Sequence, residues 1–111
     1  MPDHSLDTLN EEAQDLLTGA IDLRRDLHRW PEQGNDNPLT RDRILESLEP
    51  LKLDVTRHRT TSGVGAMLTG GLPGPTVLLR ADTDALPMPE DTGLDFSSRV
   101  DGTMHACGHD T

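Results

Sequence analysis

Apolar residues recur at alternating spacings of four and three from Leu9 through Ala13, Leu16, Ala20, Leu23 and Leu27 to Trp30, and Leu6, Leu17 and Ile21 widen the stripe. That period predicts an amphipathic helix of roughly six turns, from about Leu6 to Trp30, with one face that needs a cover. Ser5 or Asp7 can cap it. Glu11 and Glu12 lie near the positive end of its dipole, with Arg24, Arg25 and Arg29 toward the other end. Gly19 is a mild weakness inside it. The spacing also fits a coiled coil, but three heptads with no continuing partner segment favour a helix lying on a sheet. Pro31 ends the helix, because the residue before a proline is pushed out of the α region.

What covers that face has to come from aliphatic side chains. The chain has 111 residues, enough for one domain, and only 32 % of them are hydrophobic, with one Trp, one Phe and no Tyr. After a polar loop from Glu32 to Pro38, a second helix is expected with Thr40 as cap and Ile44, Leu45, Leu48 and Leu51 on its buried side. Pro50 would strain its interior, so it finishes near Glu49. Leu53 to Thr56 then reads as a short strand. Gly63 to Thr69 alternates Val64, Ala66 and Leu68 with a period of two, and the segment from Gly70 to Pro75 is a turn by composition. Thr76 to Arg80 is the return strand of a predicted hairpin, its uninterrupted apolar run implying burial on both faces. Gly63 and Gly65 do not make a phosphate-binding loop, since no strand leads into them with a helix following. The fold class expected is α/β, the N-terminal part of a helix-flanked mixed sheet, incomplete.

Charge narrows the partners. Twenty acidic residues against ten basic ones give a formal net charge of −10. Polyanion binding needs a basic surface, so nucleic acid and anionic membrane are poor partners. A single Cys cannot form an internal disulfide. No apolar run approaches the ~18 residues of a membrane span. The start, Met1-Pro-Asp-His-Ser5, lacks the layout of a signal peptide, which makes a cytoplasmic protein the expectation.

Two segments carry chemistry. Val77 to Leu79 runs through Arg80 and Ala81 into Asp82 and Asp84, spaced i, i+2, which reads as a buried strand delivering two acids at its carboxyl end. Open α/β sheets place their sites there. Taken alone, the acids are equally well explained as loop residues that make turns. The second segment, Met104-His-Ala-Cys-Gly-His-Asp110, holds four groups able to bind a transition metal. Cys107 and His109 are one residue apart, so in an extended or turn conformation both reach one metal, with Cα atoms roughly 6.5 Å apart. In a helix they would diverge by about 200°. Gly108 favours the non-helical path. A lone Cys is more often a buried small hydrophobe, but a thiolate beside an imidazole suits zinc and its neighbours. His105 and Asp110 are weaker candidates. His28 and Glu32, at the end of the first helix, are more readily explained as packing or surface residues.

These residues make the chain recognisable. The run from Leu23 to Glu32, the run from Pro73 through Leu79 to Pro87, Glu90 to Leu94, and Met104 to Asp110 together resemble the amidohydrolase branch of the aminoacylase-like zinc metallopeptidases. That branch includes hippurate hydrolases, N-acyl-amino-acid deacylases and hydrolases of indole-acetyl-amino-acid conjugates. The resemblance covers nearly all 111 residues in order. It implies that Cys107 and His109 are metal ligands and that Asp84 is the catalytic aspartate orienting the site. Other branches carry a ligand His at the position of Asp82, which is therefore not assigned as a ligand. Trp30 also departs from the pattern, since His commonly precedes the Pro-Glu pair.

The implied reaction is hydrolysis of the amide bond of a small N-acyl amino acid or related conjugate. It uses divalent metal ions, two per complete site, zinc or manganese, that polarise the carbonyl and activate water. Full-length relatives are expected to dimerise. The family's Glu-Glu pair, two further His ligands and lid domain all lie downstream of the last motif. Residues 1–111 are accordingly expected to be the N-terminal portion of a metallohydrolase catalytic domain, without its lid or C-terminal half. The chain alone is expected to be inactive. The competing expectation is a non-catalytic remnant with at most weak metal affinity.

Overall fold

The computed structural model describes residues 5–109. Helix α1 spans Leu6–Arg29, capped by Ser5, whose side chain accepts a hydrogen bond from the Thr8 N–H at 3.2 Å. A cap of this kind contributes about 1 kcal/mol. Helix α2 spans Pro38–Leu48. Pro38 occupies its first turn, where a missing N–H leaves nothing unsatisfied. A 3₁₀ turn, Glu49–Leu51, absorbs Pro50. Lys52, in the left-handed conformation at φ 53°, then turns the chain into β1 (Asp54–Arg57). Strand β2 (Val64–Met67) pairs antiparallel with β1, in the register Asp54↔Met67 to Arg57↔Val64. This is an α/β arrangement, and both helices fall where the sequence period places them. Thr40 is not the cap of α2: it lies inside the first turn and is buried.

Strand pairing differs from expectation. Gly63 to Thr69 does contain a strand, but its partner is β1, not the segment from Thr76 to Arg80. The polar loop from His58 to Gly63 closes the hairpin, through a bond from the His58 N–H to the Gly63 carbonyl at 2.9 Å. Thr76 to Arg80 forms no strand and is not buried. Val77, Leu78 and Leu79 are 79, 86 and 91 % exposed. Alternation had indicated which residues share a face; it carried no information about the neighbouring strand.

Two isolated bridges hold the later part of the chain. Ala85 bridges in parallel to Gln33, its N–H donating to the Glu32 carbonyl at 2.7 Å. Leu86 and Met104 bridge antiparallel, each N–H donating to the other's carbonyl at 2.9 and 3.0 Å. The segments after α1, after Asp84 and before His105 thus meet at one place. Ala85 is buried there, and so are the polar residues His28, Asn37, Thr40 and Thr103.

Elsewhere the apolar surface is open. Leu6, Leu9, Leu16 and Leu17 of α1 are 46 to 85 % exposed, so the amino-terminal half of its stripe has no cover. The accessible surface is 9187 Å². A compact chain of 12.2 kDa would present about 6,100 Å². The radius of gyration, 16.4 Å, likewise exceeds the about 13 Å of a compact domain this long. Among the described residues no helix is long and apolar enough to cross a membrane.

Candidate metal centre

The site is assembled from the carboxyl end of α1 outward. Glu32, three residues beyond α1, turns back to α2, accepting from the Thr40 N–H at 2.7 Å and the Leu39 N–H at 3.2 Å. It fills the role that the Asn37 side chain leaves open, since Asn37 instead donates to the Gly34 carbonyl at 2.9 Å. A carboxylate on two free amides at the positive end of a helix dipole is a favourable pairing. Arg43 of α2 meets Asp26 of α1 at 2.9 Å. Arg43 is exposed and Asp26 half-buried, so solvent screens the ion pair and it adds at most about 1 kcal/mol.

The loop before the metal-ligand motif docks on the same end of α1. The Arg99 N–H donates to the Arg29 carbonyl at 2.9 Å, and Gln33 donates to Thr103 Oγ1 at 2.7 Å. At the centre is a nearly buried pair: Glu90 Oε1 lies 2.5 Å from His28 Nε2, with the Glu90 side chain 3 % exposed. The second oxygen of Glu90 accepts from the Ser98 N–H. Burial pushes the Glu90 carboxyl up, but the hydrogen bonds from His28 and Ser98 outweigh it and hold the group below its ordinary range. Phe96 stands edge-on to the His28 ring at 5.6 Å, and Arg25 covers Phe96 at 4.8 Å. His105 completes the cluster, its ring centroid 6.2 Å from that of His28.

Cys107 Sγ and His109 Nδ1 approach to 3.9 Å across Gly108, both exposed in a turn. A zinc ion with a thiolate at about 2.3 Å and an imidazole at about 2.0–2.1 Å, at a tetrahedral angle, separates sulfur and nitrogen by about 3.6 Å. The pair therefore fits one metal with little movement. Among the described residues no group of three or more His, Cys, Asp or Glu is arranged to hold a metal. Asp110 lies outside the described residues.

The two expected motifs do converge, through the Leu86–Met104 bridge. Asp82 and Thr83 face His105, Ala106 and Cys107 across a groove of about 580 Å³ floored by α1 residues, among them Ile21 and Leu27. Asp84 does not line the groove. It is exposed and sits one residue before the buried Ala85. Asp82 is paired with Arg80 Nη2 at 2.7 Å. Neither acid ends a formed strand. Glu90 and His28 are what the reading of the sequence missed as organising residues. Both lie in runs that carry the resemblance, but they are 62 positions apart, and no local pattern shows that they pair.

Residues 78–111 match the model of peptidase family M20/M25/M40. An N-acetylcysteine deacetylase of Bacillus subtilis is 48 % identical over 96 residues, 84 % of this chain and 25 % of that protein. Among solved structures, a putative aminohydrolase from methicillin-resistant Staphylococcus aureus superposes with a TM-score of 0.87 at 38 % identity, over 96 % of this chain and 28 % of that one. The YXEP protein of Bacillus subtilis, described as a dinuclear metal-binding peptidase of the M20 family, superposes with a TM-score of 0.79 at 42 % identity, over 87 % and 27 % of the two chains. The chain spans about a quarter of the length of these relatives. In sequence and in fold the chain is thus similar to members of peptidase family M20/M25/M40.

Proposed function

We propose that residues 1–111 are the N-terminal portion of the catalytic domain of a metal-dependent amidohydrolase acting on N-acyl amino acids or related conjugates. The observation that carries the metal assignment is the 3.9 Å approach of Cys107 Sγ and His109 Nδ1. The substrate class is supported by the deacetylase relative, whose printed substrate is N-acetylcysteine. Cys107 and His109 are the residues that hold metal. A bound divalent metal, zinc or manganese, supplies Lewis-acid polarisation of the amide carbonyl and lowers the pKa of water. The complete site takes two such ions, in keeping with the dinuclear description of the Bacillus subtilis structure.

Asp84 is proposed to orient the site from behind the ligands. A carboxylate hydrogen-bonded to a ligating imidazole fixes its tautomer and raises its basicity. The exposed, strand-free setting of Asp84 here means that this task requires the neighbouring segment to settle into a sheet.

A second reading applies to the 111-residue chain by itself: non-catalytic, with weak metal affinity. It is favoured by the absence of a third donor arranged beside Cys107 and His109 among the described residues. The test incubates the purified chain with a panel of N-acetyl amino acids and zinc or manganese. The second reading expects no turnover. Metal-dependent, chelator-sensitive hydrolysis that disappears in Cys107→Ala would show instead that the partial site suffices.

A further inference from the structure

We propose that Glu90 is a positioning residue, tying the end of α1 to the strip that presents Cys107 and His109 and thereby setting where the two donors stand. The proposal rests on the metal assignment of those two residues. One oxygen of Glu90 meets His28 on α1 at 2.5 Å, and the other accepts the Ser98 N–H. Ser98 Oγ in turn reaches the Thr103 carbonyl at 2.6 Å. Thr103 is buried and receives Gln33 Nε2 on its hydroxyl at 2.7 Å. The next residue, Met104, is the half of the two-bond bridge to Leu86 that starts the ligand strip.

A chain of hydrogen bonds therefore runs from a helix residue through one carboxylate and Ser98 to the backbone of Thr103, four residues before Cys107. At the other end of this chain the His28 ring centroid stands 6.2 Å from that of His105. A carboxylate with 3 % exposure in an otherwise open molecule is expensive to keep there unless both oxygens are bonded. Here both are. Its hydrogen bonds also keep it ionised, with the carboxyl held below its ordinary range. Glu90 touches neither donor, so its influence passes through the backbone of the loop from Ser98 to Met104.

The test uses the 111-residue chain and two readouts. The first, without metal, is amide exchange of Met104 and Leu86, whose N–H groups form the bridge. The second is titration with Co²⁺, followed by the thiolate-to-metal absorption band. Glu90→Ala removes both bonds, and Ser98→Ala leaves the bond to Glu90 in place while cutting the link to Thr103 together with the two local bonds to Val100. Asp26→Asn serves as control, since it loses an ion pair between the helices and lies outside the relay. We expect Glu90→Ala and Ser98→Ala to speed exchange at Met104 and Leu86 by about tenfold or more while amides near the middle of α1 change less than about twofold. Co²⁺ affinity should fall by about 10- to 100-fold, the usual loss when a residue supporting a metal ligand is removed. Asp26→Asn should change neither readout. Exchange and affinity within twofold of the parent in both relay variants would overturn the proposal. Equal losses in Asp26→Asn would also overturn it, by making the effect one of general stability. A parent chain with no Cys107-dependent band would overturn the metal assignment, and the positioning role with it. Normal Co²⁺ binding in the parent, unchanged by the relay variants, would remove the positioning role alone.

Discussion

Glu32 and Glu90 are both glutamates placed just after a proline, and each accepts two hydrogen bonds, yet they hold different things. Glu32 closes the start of α2, and Glu90 closes the gap between α1 and the ligand loop. The depressed Glu90 carboxyl fixes the sign of one pH effect. Its folded value lies below the ordinary 4.5, so its stabilising contribution is complete above that pH. The contribution is lost as the pH falls through the lower folded value. Following the Glu90 side-chain carboxyl by ¹³C NMR should give a midpoint below 4.5, with the Met104 amide shift moving together with it. A midpoint at or above 4.5 would refute the assignment. Both glutamates lie in runs that carry the family resemblance, but their roles could not be read from sequence, because the partner of Glu90 is 62 residues away and that of Glu32 is a helix end defined by the fold. Cys107 and His109, the proposed ligands, stand out for the opposite reason: a donor, one glycine and a donor is a local arrangement.

At the level of elements, the helices were predictable because a period of 3.6 residues is a property of the segment itself. Ser5 before α1 and Pro38 at the start of α2 are equally local. The cap of α2 was not, since Glu32 reaches it from eight residues before Thr40. Replacing Glu32 with Ala should speed exchange of the Leu39 and Thr40 amides by about tenfold, corresponding to roughly 1 to 2 kcal/mol for a lost helix cap. Unchanged protection at both amides would contradict the capping role. The strands were half legible. Alternation located Val64 to Met67 but assigned it the wrong partner, and the single-residue bridge between Leu86 and Met104 has no pattern to read. That bridge is what brings the acidic motif and the ligand motif together.

The whole molecule is more open than its length requires. Val77, Leu78 and Leu79 stand in water, as does the amino-terminal half of the apolar face of α1, and exposed apolar surface of this kind promotes association. The chain should therefore self-associate at micromolar concentration and bind an apolar dye, and Leu78→Lys with Val77→Thr should reduce both. A monodisperse monomer with a sharp cooperative unfolding transition would contradict this. The sequence had pointed to a strand buried on both faces. Among the described residues that segment forms no strand and is exposed along its apolar run.

The central claim is that Cys107 and His109 hold one divalent metal together. X-ray absorption of the chain loaded with one equivalent of Zn²⁺ tests it most directly. One sulfur is expected at about 2.3 Å with nitrogen or oxygen neighbours at about 2.0–2.2 Å, the sulfur vanishing in Cys107→Ala and the imidazole scattering diminishing in His109→Ala. A shell of nitrogen and oxygen alone in the parent chain, identical in Cys107→Ala, would contradict it.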